Sequence, residues 1–182
     1  MADRRLTGVL LVGGASTRFG SPKALARFGA ETLADRAWRI LGEACDERLA
    51  VGKGELQLPF EVLDDGIDVR APIAGVIAGL RAAANDVAVF LPVDCPLVTP
   101  ALIRALGEAR AVPQSGPLPG SYGKDDLPVL ERRLGAGELS LRGINPRVLQ
   151  LDERLLANAN TPAALRELAL EQDLAARDEH PA

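Results

Sequence analysis

Apolar residues run along this chain in two rhythms. Short uncharged, branched runs alternate with longer stretches in which apolar positions recur at helical spacing, and that alternation predicts a parallel sheet covered by helices on both faces. Gly8-Val9-Leu10-Leu11-Val12 is the first buried strand, ended by Gly13-Gly14. A helix follows over Thr32–Leu41 with Thr32 as its N-cap, then a strand over Arg48–Val51, a Gly-Lys-Gly turn, and a third strand over Phe60–Leu63 that stops at Asp64-Asp65-Gly66. Ala71–Leu80 opens with a proline and continues as an apolar helix thinned by glycines, suited to close packing on the sheet. Val87–Asp94 is the central strand, with its acid at the carboxyl end. Thr99-Pro100 starts a helix running to Ala109. Val112–Tyr122, rich in proline and glycine, is expected to form one or two extended segments joined by turns. A helix from Asp125 to Leu134, a late strand over Val148–Leu151 and a terminal helix capped by Thr161 complete the pattern.

The length of 182 residues suits one domain, and 47% hydrophobic residues can fill a sizeable core. A net charge of −4 argues against a nucleic-acid surface, so a polyanionic ligand must be held by local donors and a metal. Cys45 and Cys95 are too few and too far apart for a zinc site or a disulfide framework and read as reduced core thiols. His180 is the single histidine, which excludes Ser-His-Asp hydrolysis and histidine-ligated metal chemistry. The first residues, MADRRLTG, lack the apolar core of a signal peptide, and no apolar run approaches the roughly 20 residues of a membrane span. The expectation is a soluble, cytoplasmic protein without nucleic-acid or membrane partners, its domain over residues 1–176 and a frayed tail over 177–182.

Two segments carry chemistry. In LLVGGASTRFGSPKAL, Gly13 and Gly14 let backbone amides face an anion, Ser16 and Thr17 offer hydroxyls, Arg18 supplies a fork of donors, and Lys23 a mobile point charge. This is a phosphate grip. It is neither a P-loop, because Ser21-Pro22-Lys23 follows Gly20, nor a dinucleotide fingerprint, because GxGxxG is absent. In Leu91-Pro92-Val93-Asp94-Cys95-Pro96, an aspartate at the end of an apolar strand cannot enter a helix at once and points its carboxylate into the cleft. A carboxylate beside water and substrate phosphates is what Mg²⁺ prefers.

The string VGGASTRFGSPKAL resembles the signature loop of nucleotidyltransferases that share LAGGxSxRMGxxK, and its RFG variant most resembles the molybdenum cofactor guanylyltransferases. LPVDCP is similar to that family's LPCDMP, whose aspartate binds the catalytic magnesium, and RAPIAGVIAGL to its GPLAGL helix start. Phe60–Asp65 resembles its strand-end acid that reads guanine; Asp65 matches from the strand side and Asp64 from the helix side. An acid there can accept from both the ring N1–H and the exocyclic amine of guanine. Asn158-Ala159-Asn160-Thr161-Pro162 resembles the family's NxNTPEDL, whose asparagines can meet a phosphate or pterin, or else cap the last helix. The Gly116–Ile144 stretch resembles the acceptor-side region, where Arg142 is either a phosphate contact or a surface arginine.

The resemblance runs from Gly8 to Leu168 and implies a single-domain, Rossmann-like α/β fold with a mostly parallel sheet flanked by helices. It implies transfer of GMP from GTP to molybdopterin-bound molybdenum with release of pyrophosphate. Lys23, Arg18 and Asp94 would carry catalysis, Asp94 would hold Mg²⁺, and Leu11, Val12, Gly13, Gly14, Ser16, Lys23, Gly52, Asp65, Asp94, Asn158 and Asn160 would line the ligand site. The implied partners are GTP, Mo-molybdopterin and molybdoenzyme-maturation proteins, for a monomer or weak oligomer. Val12 in place of the usual alanine, Ala71 in place of glycine, Gly52 in place of an asparagine, and a short 112–120 segment depart from the pattern. Related cytidylyl- and sugar-phosphate nucleotidyltransferases, or a non-catalytic nucleotide binder, are the rival readings.

Overall fold

The computed structural model describes residues 5–12, 22–53 and 56–178, with side chains to residue 172. Chain order is β1 (Leu6–Leu11), a 3₁₀ turn (Lys23–Leu25), β2 (Arg27–Phe28), β3 (Glu31–Thr32), α1 (Leu33–Ala44), β4 (Glu47–Gly52), β5 (Leu63–Asp64) and α2 (Pro72–Ala82). Then come β6 (Val87–Pro92), α3 (Pro100–Ala109), β7 (Val112–Pro113), β8 (Gly120–Gly123), a 3₁₀ turn (Lys124–Asp126) and α4 (Leu127–Gly135). β9 (Val148–Leu149), a 3₁₀ turn (Glu153–Leu156) and α5 (Pro162–Asp178) close the chain.

The main sheet has the order β5-β4-β1-β6-β8. β1 pairs in parallel with both β4 and β6, β4 in parallel with β5, and only β8 runs antiparallel to its neighbour β6. The order reverses at β1, between β4 and β6. In open α/β sheets that reversal opens a crevice beyond the carboxyl ends of the strands, where ligands bind.

Strand alternation divides the core in two. Val9, Leu11, Ala88 and Phe90 face α2 and α4, packing on Ile73, Ile77, Leu80 and Leu130. Leu10, Ala50, Val89 and Leu91 face α1 and α3, packing on Ile40, Leu41, Ile103 and Leu106. Leu6, Leu10, Leu80, Leu91, Ile103 and Leu106 are wholly excluded from solvent, each burial being favourable by about 1.5–3 kcal/mol. α2 lies especially close to the sheet: a Cβ on Gly79 would stand 2.6 Å from Phe90 Cε1, and one on Gly75 2.8 Å from Leu11 Cδ2. A third cluster joins Phe28 and Leu33 to Leu97, Ala159 and Leu165, tying α5 to the β2–β3 hairpin.

The helix starts fall where the caps predict them. Thr32 and Thr99 accept from the amides of Asp35 and Leu102, and Thr161 from that of Ala164. Four expectations need correction. Phe60–Leu63 is not a strand: only Leu63 and Asp64 pair with β4, and Phe60 instead stacks on Trp38 with ring centroids 4.1 Å apart. Its apolar character serves a helix surface, not a ladder. The central strand ends at Pro92, so Asp94 sits in the turn beyond it. The late strand is limited to Val148–Leu149, paired with β7 outside the main sheet. The helix expected from Asp125 starts as a 3₁₀ turn, with Asp126 Oδ2 accepting from the Gly123 amide. The proline-rich stretch does contain two extended segments, and Tyr122 on the second is wholly buried, with its hydroxyl donating to the Pro117 carbonyl at 2.9 Å. Among the described residues, no helix is long and apolar enough to cross a membrane.

Candidate active site

The crevice is built by strand ends that are fastened to one another. Beyond the last rungs of the sheet, the Val12 amide donates to the Val51 carbonyl (3.0 Å), Val93 to Leu11 (3.2 Å) and Asp65 to Gly52 (3.2 Å). Leu11, Val12, Gly52, Asp65 and Asp94 are therefore all set along one edge of the sheet. The Val12 side chain is 9% exposed and packs with the α1–α3 core, so its additional methyl groups fill the interior. Ala71, the N-cap of α2, has φ −139° and ψ 149°, which alanine adopts freely, so the missing glycine costs no strain there. Gly13, Gly14, Ser16, Thr17 and Arg18 lie outside the described residues, as does His180.

Three segments far apart in sequence meet at Asp94. Lys23 Nζ is 3.0 Å from Asp94 Oδ2 and 3.4 Å from Asn160 Oδ1. The Ala159 amide, between the two asparagines, donates to the Asp94 carbonyl at 2.8 Å. Cys95 Sγ donates to Asn158 Oδ1 at 3.0 Å and lies 3.8 Å from Asp94 Oδ1. Neither asparagine caps α5, since Thr161 does so. Asn158 instead turns its carbonyl oxygen to Cys95 in the Asp94 loop and Asn160 turns its own to Lys23, which leaves their amide nitrogens as donors.

The electrostatics of the cluster are those of a pair with a reserve. The Lys23 and Asp94 side chains are 17% and 24% exposed, sheltered enough for charge to matter and open enough for exchange with a ligand. Burial pushes the Cys95 thiol well above its usual range and the adjacent Asp94 carboxylate pushes it further, so the sulfur is a protonated donor and not a nucleophile. Among the described residues, no three metal-binding side chains gather. Asp94 stands as one partly exposed carboxylate just past the carboxyl end of β6, which fits a cation that takes one or two carboxylates and completes its shell with phosphates and water.

One strand further out is a second pair. Lys53 Nζ donates to Asp65 Oδ1 at 2.5 Å and also to the Ile67 carbonyl, while the Ile67 amide donates to the same Oδ1 at 3.1 Å. Asp64 differs: its Oδ1 accepts from the Gly66 amide at 2.7 Å in an exposed turn. Sequence reasoning missed Lys53, which it saw only inside a Gly-Lys-Gly turn, and it saw Cys95 only as a core thiol. No spacing announces either, because their partners lie 12 to 63 residues away. Arg142 is exposed, and its carbonyl accepts from Arg133 (2.8 Å).

A parallel sheet reversing at β1, with a lysine, an aspartate and two asparagines gathered at that reversal, defines a nucleotide-handling α/β domain. Comparison with known proteins names the family. The model of the MobA-like NTP transferase domain matches residues 8–175, and the chain belongs to that family. It is 35% identical to a "Probable molybdenum cofactor guanylyltransferase" of Deinococcus radiodurans, over 90% of this chain and 94% of that one. It is 31% identical to the molybdenum cofactor guanylyltransferase of Pseudomonas putida, over 87% and 95% respectively. The crystal structure of molybdopterin-guanine dinucleotide biosynthesis protein A from Archaeoglobus fulgidus superposes with a TM-score of 0.77, covering 92% of this chain and 99% of that one at 22% identity, a likeness of fold.

Proposed function

We propose that this protein is a molybdenum cofactor guanylyltransferase that moves GMP from GTP onto molybdopterin-bound molybdenum and releases pyrophosphate. The observation that carries the reading is the convergence of Lys23, Asp94 and Asn160 at the carboxyl edge of the sheet, in a chain of this family.

The terminal phosphate of the pterin attacks the α-phosphorus of GTP. A phosphate nucleophile is already ionised, so the reaction asks the protein for alignment and charge neutralisation and not for a general base. Lys23 gives up the Asp94 carboxylate for phosphate oxygens as the nucleotide enters, staying within reach of both. Arg18 adds donors to the polyphosphate. Asp94 would hold Mg²⁺, which supplies positive charge at the phosphates when bound. The backbone from Leu11 to Gly14 frames the base, with Gly52 beside it, and the Ser16 hydroxyl serves the polyphosphate.

Asp65, sheltered and held beside Lys53, accepts from the guanine edge in preference to the exposed Asp64. Asn158 and Asn160 present amide protons to the pterin side of the crevice. The enzyme acts in the cytoplasm as a monomer or weak oligomer alongside molybdoenzyme-maturation proteins.

The test is thermal stabilisation by each of the four nucleoside triphosphates, with and without Mg²⁺, followed by pyrophosphate release on adding molybdopterin-bound molybdenum. Stabilisation by GTP that strengthens with Mg²⁺, and acceptor-dependent pyrophosphate, are expected. Preference for CTP would make it a cytidylyltransferase, and binding without turnover a non-catalytic homologue.

A further inference from the structure

Lys53 has no place in the chemistry above, yet it is committed to the same crevice. It lies one residue beyond β4, beside the reversal at β1, with its side chain 23% exposed. Its ammonium carries three protons. One goes to Asp65 Oδ1 and one to the Ile67 carbonyl, so among the described residues a third is left for a ligand. The two contacts made by the Asp65 carboxylate both fall on Oδ1, which leaves Oδ2 as an acceptor.

Oδ1 already accepts two hydrogen bonds, so the pair offers an entering base one donor, Nζ, and beside it one acceptor with open lone pairs, Oδ2. The hydrogen-bonding edge of guanine runs acceptor, donor, donor: O6, N1–H, N2–H. We propose that Lys53 is a specificity-determining residue, its ammonium reading guanine O6 while Asp65 takes N1–H and the exocyclic amine. The proposal rests on the reading of Asp65 as the base-side acid and deepens it from one contact to a complete edge.

The other bases fail in stated ways. Adenine turns an amine towards the ammonium and the lone pair of N1 towards the carboxylate. Cytosine does the same with N4 and N3. Uracil gives the ammonium an acceptor and Oδ2 one donor, but places a second carbonyl beside the carboxylate where guanine has its amine. An aspartate alone discriminates poorly between guanine and other bases with a donor at the ring nitrogen, and the lysine adds the demand for an acceptor beside it. Guanine also leaves the ion pair intact, because it adds partners to both ions and takes none away. Adenine and cytosine do not, which matters because separating two sheltered charges is costly.

The test is calorimetric binding of GTP, ITP, 6-thio-GTP and ATP, with Mg²⁺, to the full chain and to its Lys53→Met, Lys53→Gln and Asp65→Asn variants. Sulfur at position 6 is a weak acceptor, so 6-thio-GTP isolates the lysine contact, and ITP, which lacks the exocyclic amine, isolates the carboxylate contact. The unaltered protein should bind GTP about tenfold more tightly than 6-thio-GTP, the scale of one charge-assisted hydrogen bond. Lys53→Met should erase that difference while keeping the GTP-over-ITP preference, and Lys53→Gln, still a donor, should restore part of it.

Equal binding of GTP and 6-thio-GTP by the unaltered protein would overturn the proposal whatever the variants do. So would a Lys53→Met variant that weakens all four nucleotides equally and keeps the GTP to 6-thio-GTP ratio, since the lysine would then only hold the loop. The parent reading fails separately: if Asp65→Asn leaves the GTP-over-ITP and GTP-over-ATP ratios unchanged, Asp65 does not read the base.

Discussion

The two ends of the main sheet spend polar side chains differently. At the amino end, carboxylates are consumed by the fold: Asp46 Oδ2 accepts from the Leu6 amide (2.8 Å), and Glu47 Oε2 from both the Thr7 hydroxyl (2.5 Å) and the Ala84 amide (2.9 Å). Asn85 completes the set by donating to the wholly buried Thr7. At the carboxyl end the carboxylates of Asp94 and Asp65 are each paired with a lysine, Lys23 and Lys53, even though Asp65 also accepts from the Ile67 amide. A backbone amide taken by a carboxylate has nowhere else to turn in the folded protein. A lysine paired with an aspartate can trade it for a phosphate. The same residue types thus hold backbone at one end and pair charge with charge at the other.

If this division is right, substitutions at the carboxyl end change rates and those at the amino end change stability. The largest effect is expected for Lys23→Ala and Asp94→Ala, each lowering turnover by about 10²- to 10³-fold, the range for loss of one preorganised electrostatic group. Initial rates of pyrophosphate release measure it, with a melting temperature close to the parent's. Near-normal turnover in either variant would break the comparison at its strongest point.

Next is Glu47→Ala, which strips the Thr7 hydroxyl and the Ala84 amide of their acceptor. Leaving such donors unsatisfied should cost about 1–3 kcal/mol in a urea titration, with unchanged kinetics. A comparable loss of activity in the folded variant would mean that the amino end also serves the reaction.

Asn160→Ala sharpens the contrast within the crevice. It should reduce acceptor-dependent turnover about tenfold, or 1.4 kcal/mol, while GTP affinity changes little. A fall in melting temperature with unaltered acceptor kinetics would return Asn160 to the structural class. The smallest effect belongs to Asp46→Asn, which keeps a carbonyl acceptor for the Leu6 amide and loses only its charge, so the cost should stay below about 1 kcal/mol with unchanged rates. Denaturation midpoints on the same preparation give both values.

The edge that carries Gly52 and Asp94 was legible in residue order, because apolar strand runs stop just before them, whereas Asp64-Asp65 follow only a two-residue ladder. The threonine caps and the glycine-thinned α2 were equally plain, since a cap needs only its next three residues and a helix face only its own period. Phe60 shows the limit: its apolar character could not say whether it joined a ladder or stacked on Trp38, and hydrophobicity alone does not separate the two.

What the chain determined by itself was everything whose physics is local: strand and helix rhythm, capping, and the parallel α/β class that the alternation imposes. Only the tertiary structure decided that Asn160 faces Lys23, that neither asparagine caps α5, that Asp65 and not Asp64 is held beside a lysine, and that Cys95 donates to Asn158. Those choices depend on which distant side chain arrives at a strand end. A side chain near a glycine or in a turn has several equally good local partners, and the packing of α2 on the sheet and of α5 on the β2–β3 hairpin selects among them.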